Sequence, residues 1–178
     1  MGMKATSLFI VRLMSYVCII AILTGCAVYM PTIQIPYGSK TSEDLVAVTA
    51  LVLQEYDFTV TVANSSVGIV TTDWRTVSST AEEVVNVLFT GQAYRERMQL
   101  SVVVNQAKNT VVIKPKKERY SGLYGWSLCK LESNDKQLLC NIAETIKIRV
   151  NGVSDTVIWE EPGRGRIPLS EIQRESTH

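Results

Sequence analysis

Histidine is nearly missing from this chain: 178 residues contain one, and it is the last, His178. A nucleophilic triad needs a base held within hydrogen-bond reach of serine or cysteine, and a terminal imidazole is not held there. With that one histidine and few cysteines, a tetrahedral zinc set lacks ligands. An excess of either charge is also absent, since 18 basic residues face 17 acidic ones. That balance gives no general pull toward nucleic acid. No phosphate-cradling loop is present, because Gly122 and Gly125 lack the following Lys-Ser/Thr and helix start. The carboxylate pairs Glu82–Glu83 and Glu160–Glu161 are chain neighbours, so they diverge instead of converging on one substrate. Asp73 is the best single acid, and a strand-end pair with Arg75 accounts for it. These absences predict a protein that is not an enzyme, with no catalytic residue, no metal and no dissociable cofactor.

What the chain does have is a long charge-free opening. Lys4 and Arg12 precede an apolar stretch from Leu13 to Ile22, the order of an export signal. Leu23, Thr24, Gly25 and Cys26 then read as the cleavage box of a bacterial lipoprotein. Gly25 leaves the scissile bond accessible, and the Cys26 thiol would carry the lipid. Each buried methylene is worth about 0.8 kcal/mol, so two or three acyl chains anchor stably. The rival reading is an uncleaved membrane helix, because no charge falls between Leu13 and Ser39. Gly25, Pro31 and Pro36 interrupt that run and favour the lipoprotein. Cleavage would leave 153 residues (178 minus 25), and losing Lys4 and Arg12 turns the formal charge from +1 to −1.

Four cysteines are present. Cys18 leaves with the leader and Cys26 takes the lipid, so Cys129 and Cys140 remain. In an oxidising compartment they are expected to form a disulfide, with a chain-entropy gain of about 3 kcal/mol. The alternative is that both stay reduced because Cys140 lies on a buried helix face.

The pattern divides the chain into a leader over 1–25, a lipidated tether over 26–40, one folded domain over 41–154 and a flexible tail over 155–178. Thr41 and Asp44 form a helix-capping pair, and Leu45, Val48, Leu51, Val52 and Tyr56 recur at helical spacing. Phe58, Val60 and Val62 alternate as a strand, and Val67 to Arg75 returns as its partner, with Gly68 marking a bulge or a close approach. Thr80 and Glu83 suggest a short helix ending at Gly91, whose valines would equally suit a strand. From Tyr94 onward, Met98, Leu100, Val102 and Val104 face one way and Arg97, Gln99, Ser101 and Val103 the other. Thr110 to Lys116 is the antiparallel mate. Lys114, Lys116, Lys117 and Arg119 read as a solvated, charge-guarded strand end, in preference to a binding surface for phosphate or lipid headgroups. Tyr124 and Trp126 are expected to cover one end of the core. Leu139, Ile142, Ala143, Ile146 and Val150 form a second helical stripe ended by Gly152, although Thr145 to Asn151 also alternates like a strand. The sum is an α+β domain: a four-stranded or larger antiparallel sheet with two helices packed on one face.

The series Leu53, Tyr56, Phe58, Val60, Val62, Gly68, Ile69, Thr72, Asp73, Trp74 resembles the repeated domain of the BamC (NlpB/DapX) outer-membrane lipoproteins. Those are accessory members of the machine that inserts β-barrel proteins. The resemblance implies a helix-grip, TBP-like fold and contact with outer-membrane assembly machinery. This chain departs from the family in its short segment after the cysteine, its single domain, and Asp57 where a glycine would end the helix. Ala27 is not the aspartate that retains lipoproteins in the inner membrane, so the resemblance implies the outer membrane, facing the periplasm. The expected function is a non-catalytic binding or scaffold component of an envelope assembly, with Trp74, Arg75, Tyr124 and Trp126 as the partner-binding residues. The alternative is a carrier of lipid or a hydrophobic small molecule between helices and sheet. A surface-exposed factor is a third possibility. The lipobox yields a direct test: intact-mass analysis of membrane-extracted protein is expected to show a chain beginning at Cys26 with about two or three acyl chains, and Cys26→Ala to retain its leader.

Overall fold

Two isoleucines one residue apart begin the sheet: in β1 (Thr32–Pro36), Ile33 and Ile35 are fully buried while Gln34 between them is not. That alternation is the strand period with one face on a core. The computed structural model describes residues 30–77, 95–122, 124–151 and 156–176. The lipobox, the capping pair Thr80–Glu83, Gly91, Tyr94, Gly152 and His178 lie outside them.

Helix α1 (Ser42–Glu55) starts where Thr41 Oγ1 accepts the Asp44 N–H at 3.2 Å. It ends in a Schellman motif: Phe58 N–H reaches Leu53 O and Asp57 N–H reaches Gln54 O, with Asp57 left-handed at φ 59°. An aspartate here takes the backbone role that a glycine would fill more cheaply.

β2 (Val60–Asn64), β3 (Ile69–Thr72) and β4 (Arg75–Thr76) follow, then the long pair β5 (Arg95–Asn105) and β6 (Thr110–Ser121), with β7 (Gly125–Leu128) turning back on β6. Gly68, at φ 67°, passes so close to β5 that an added Cβ would lie 3.0 Å from Val104 Cβ. Helix α2 spans Ser133–Asn151, and β8 (Ile158–Glu161), β9 (Gly165–Pro168) and α3 (Leu169–Ser176) complete the described chain.

The sheet has nine strands in the order β2-β3-β5-β6-β1-β8-β9, with β4 also beside β5 and β7 also beside β6. Every described ladder is antiparallel. The three described helices cover one face. Leu45, Leu53, Phe58, Leu139, Ile142 and Ile146 fill the space beneath them against Leu100, Ile113, Ile33 and Trp159, each at most 1% exposed. Arg149 donates two hydrogen bonds to Glu55, and Tyr56 Oη lies 2.9 Å from Thr145 Oγ1, joining α1 to α2.

Pro115 sits inside a central strand without breaking it. On one flank of β6, β1 pairs as far as Ile113 and β7 begins at Glu118, which leaves a gap at Pro115. Its partner across the other flank is Leu100, whose N–H points away to Thr72 Oγ1 at 3.0 Å. No ladder bond there needs a donor from residue 115.

The expected helix-grip domain, a four-stranded or larger sheet with two helices, is therefore corrected to a nine-stranded antiparallel sheet with three helices among the described residues. Two segments supply three of the added strands and the third helix. Thr32–Pro36, expected as tether, is paired on both sides, and the expected tail supplies β8, β9 and α3, burying Trp159, Leu169 and Ile172. Both are short and carry proline or glycine, and each is held by partners distant in sequence. Ile33→Ala is expected to cost about 2–5 kcal/mol in denaturant unfolding, as for a core isoleucine; a tether residue would change it by less than about 0.5 kcal/mol.

Candidate functional site

Beyond the point where β1 begins, the sheet narrows to β4, β5, β6 and β7, a blade with charges on both faces. The strand period sends alternate residues to opposite sides, so Glu96, Lys117 and Arg119 face the helix layer while Arg97, Lys116 and Glu118 face away from it.

On the helix side, Lys117 is 1% exposed, and its Nζ lies 2.5 Å from Glu96 and 2.6 Å from Asp135. Asp135 also accepts the Glu132 N–H at the start of α2, at 2.7 Å. Arg119 pairs with Glu96 and with Glu132. The expectation of a solvated basic strand end is corrected for Lys117, which is buried with both charges answered. Burial raises the Glu96 carboxyl, but hydrogen bonds and charge from Lys117 and Arg119 outweigh it and hold the group below its ordinary value. Burial lowers the Lys117 ammonium, and hydrogen bonds to Asp135 and Glu96 overcome that and raise it. The cluster joins β5, β6 and α2, and each of its charges is paired with another member.

The two expected disulfide partners are free thiols and are not joined. Cys129 follows β7 beside the Lys117 cluster. Cys140 is fully buried on α2, five residues beyond Asp135 and thus about 7.5 Å along the helix. Burial pushes the Cys129 thiol up and the Cys140 thiol to about 12. Both shifts disfavour the thiolate form.

The open face carries the site. The Arg97 guanidinium is sandwiched between two indoles, 4.2 Å from the Trp74 ring centre and 3.8 Å from that of Trp126. Glu118 Oε2 accepts from its Nε and Nη2 at 3.0 and 2.6 Å. Lys116 pairs with Glu118 at 2.9 Å and lies 5.0 Å above the Trp74 ring. Tyr120 packs tilted on Trp126 at 5.4 Å. Tyr120, Trp126 and Leu128 are 37%, 40% and 46% exposed, and Tyr124 at the β6–β7 turn is 84% exposed. Arg95 and Lys114 add exposed cations to the same face, so β5 and β6 present four cations against the carboxylate of Glu118.

Of the four residues expected to bind a partner, Trp74 and Trp126 converge across Arg97. Tyr124 stands apart at the turn. Arg75 lies on the helix side, donating to Tyr56 O at 2.7 Å and stacking over Phe58 at 5.1 Å. Its carboxylate neighbour is Asp57, at 3.8 Å, whereas Asp73 accepts the Trp74 N–H at 2.7 Å. Tyr124 and Trp126 do not cover the core; both face solvent. Sequence reasoning misses Arg97. It is legible there only as a polar-phase residue of β5, and its position between two tryptophans follows from pairing across four strands.

Among the described residues no group of histidine, cysteine, aspartate and glutamate is placed to hold a metal, and no helix is long and apolar enough to cross a membrane. Glu160 and Glu161 point to opposite faces of β8, Glu160 accepting from Gln34 Nε2 at 2.5 Å. No known protein family matches the chain, and no curated protein matches it.

The buried cluster sets a pH window. The lowered Glu96 contributes stability above 4.5 that is lost as pH falls through its folded value, and the raised Lys117 contributes below 10.5 and loses it as pH rises through its own. Urea midpoints measured against pH are expected to fall outside those limits. Lys117→Met, which strands two buried carboxylates, is expected to lose about 3–5 kcal/mol at neutral pH and to shift the acid limb.

Proposed function

We propose that this protein is a membrane-anchored, non-catalytic binding component of a cell-envelope assembly, held by lipid on Cys26 and engaging a protein partner through the face of its sheet opposite the described helices. The observation that carries this reading is the Trp74–Arg97–Trp126 stack. Tryptophan and arginine supply most interface energy when a partner covers them. A guanidinium held between two rings and a carboxylate loses little further freedom on binding, so the patch is preorganised. Its surplus of cations suits an acidic partner surface, which Arg95, Lys114 and Lys116 would steer toward the face.

The lipobox and the BamC-like series from Leu53 to Trp74 support an envelope address, with Ala27 after Cys26 favouring the outer membrane and its periplasmic side. Anchoring works by confinement: a domain restricted to a thin layer meets its neighbours at a raised effective concentration. The packed interior between helices and sheet favours this reading over a carrier with a ligand between those layers.

Zero-length carbodiimide coupling in intact envelopes tests it. Lys114 and Lys116 are expected to couple to aspartate or glutamate of one reproducible envelope protein, read by mass spectrometry. In Trp74→Ala/Arg97→Ala the yield is expected to fall at least about tenfold, the loss of roughly 1.4 kcal/mol or more of binding. Unchanged coupling in a folded double variant would overturn the assignment of this face.

A further inference from the structure

The described chain begins, at Met30, toward the same end of the sheet as its most exposed aromatic, Tyr124. β1 runs antiparallel to β6, and their last pair at the N-terminal end of β1 is Ile33↔Ile113. From there β6 continues past β1 toward Ser121, flanked by β5 and then β7, for eight residues or about 27 Å at the usual antiparallel rise. In the same direction the chain leaves β1 backward through Met30, which lines a surface pocket with Thr32, Glu160, Pro162 and Gly163 at the β8–β9 turn. Cys26 is seven residues before Ile33 and can lie at most about 25 Å from it. The tether is therefore far shorter than the fourteen residues read from sequence. The tip of the β6–β7 hairpin reaches as far toward the anchor as the anchor itself can extend.

That tip has the composition of a membrane-interface anchor. Tyr124, at 84% exposure, is the most exposed large apolar side chain among the described residues, and Tyr120 and Trp126 flank it. Amphipathic Tyr and Trp rings are favoured where headgroups meet acyl chains. Gly125, at φ 69°, closes the turn, and Arg95, paired opposite Tyr120, lies just behind the tip on the open face, where it complements anionic headgroups.

We propose that the β6–β7 hairpin is a second, non-covalent contact with the bilayer, seating Tyr124 and the edges of Tyr120 and Trp126 at headgroup level. This rests on the tethered reading above. One lipidated point leaves a domain free to swivel; a second contact fixes its tilt, so the Trp74–Arg97 end of the open face is presented at a set angle.

The test uses full-length protein extracted from membranes and returned to vesicles of phosphatidylethanolamine and phosphatidylglycerol, with or without lipids brominated near the headgroup. Tyr124→Trp places a reporter at the tip. Its added emission is expected to drop at least about twofold in brominated vesicles, and Trp126→Phe to weaken the quenching of the otherwise native chain. Emission from the tip indifferent to bromine but open to acrylamide, in protein whose mass shows acylated Cys26, would overturn the hairpin contact and leave the tether standing. Protection of the tip only when an envelope protein is photo-crosslinked at residue 124 would overturn it in favour of a protein interface. An unmodified Cys26 without quenching removes both proposals, whereas an unmodified Cys26 with quenching leaves the hairpin contact on its own evidence.

Discussion

The pairing of β5 with β6 is the constraint from which the rest of the structure hangs. Eleven residue pairs run without a slip from Arg95↔Tyr120 to Asn105↔Thr110. The turn that joins the strands, Gln106–Lys108 with Asn109 left-handed at φ 48°, sets their register. β3 and β4 attach to one flank of this pair and β1 and β7 to the other. Because strands have a period of two, a slip of one residue would turn Glu96 and Lys117 out to solvent and drive Arg97 and Lys116 under the helices. Charged groups on both faces make that slip costly, since each would lose its partners in a dry environment.

The same alternation gives the projecting blade two faces with different roles. On the helix side, opposite charges are buried in mutual contact and hold the start of α2 against the sheet. On the open side, Arg95, Lys114 and Lys116 stay exposed while Arg97 is ordered between aromatic rings. Buried pairs of the first kind give positional specificity more than net stability, because desolvation offsets much of their attraction. Exposed stacks of the second kind hold long side chains in one conformation while leaving one surface free for contact.

Much of the fold is legible where the signal is local. The cap at Thr41 and the alternation of Met98, Leu100, Val102 and Val104 follow from neighbours within a few residues. So does the stripe from Leu139 to Val150 on α2. What escapes depends on partners far away. Thr32–Pro36 is five residues with a proline, and only pairing with β6 and β8, some 80 and 125 residues downstream, makes it a strand. Lys117 reads as solvated because lysine is seldom buried unless paired. Its partners, Glu96 and Asp135, come from opposite directions along the chain. Trp74 and Trp126 are recognisable as anchors by residue type alone. Arg97 cannot be singled out without the cross-strand geometry that centres it between them, and Arg75 falls on the other face from the one expected because Asp73 and Trp74 interrupt the strand before β4.

β1 enters the sheet from the end where the chain leaves the described residues, and it is paired along both sides. Its ladder bonds lie perpendicular to its axis, as in any antiparallel pair. Tension applied upstream of Met30 therefore runs along the strand and shears both rows of bonds together, where the opposite geometry would unzip them one at a time. Mechanical load at the N-terminus is thus shared between β6 and β8 at once, and the element that a sequence reading takes for slack rope is the one that transmits force into the fold.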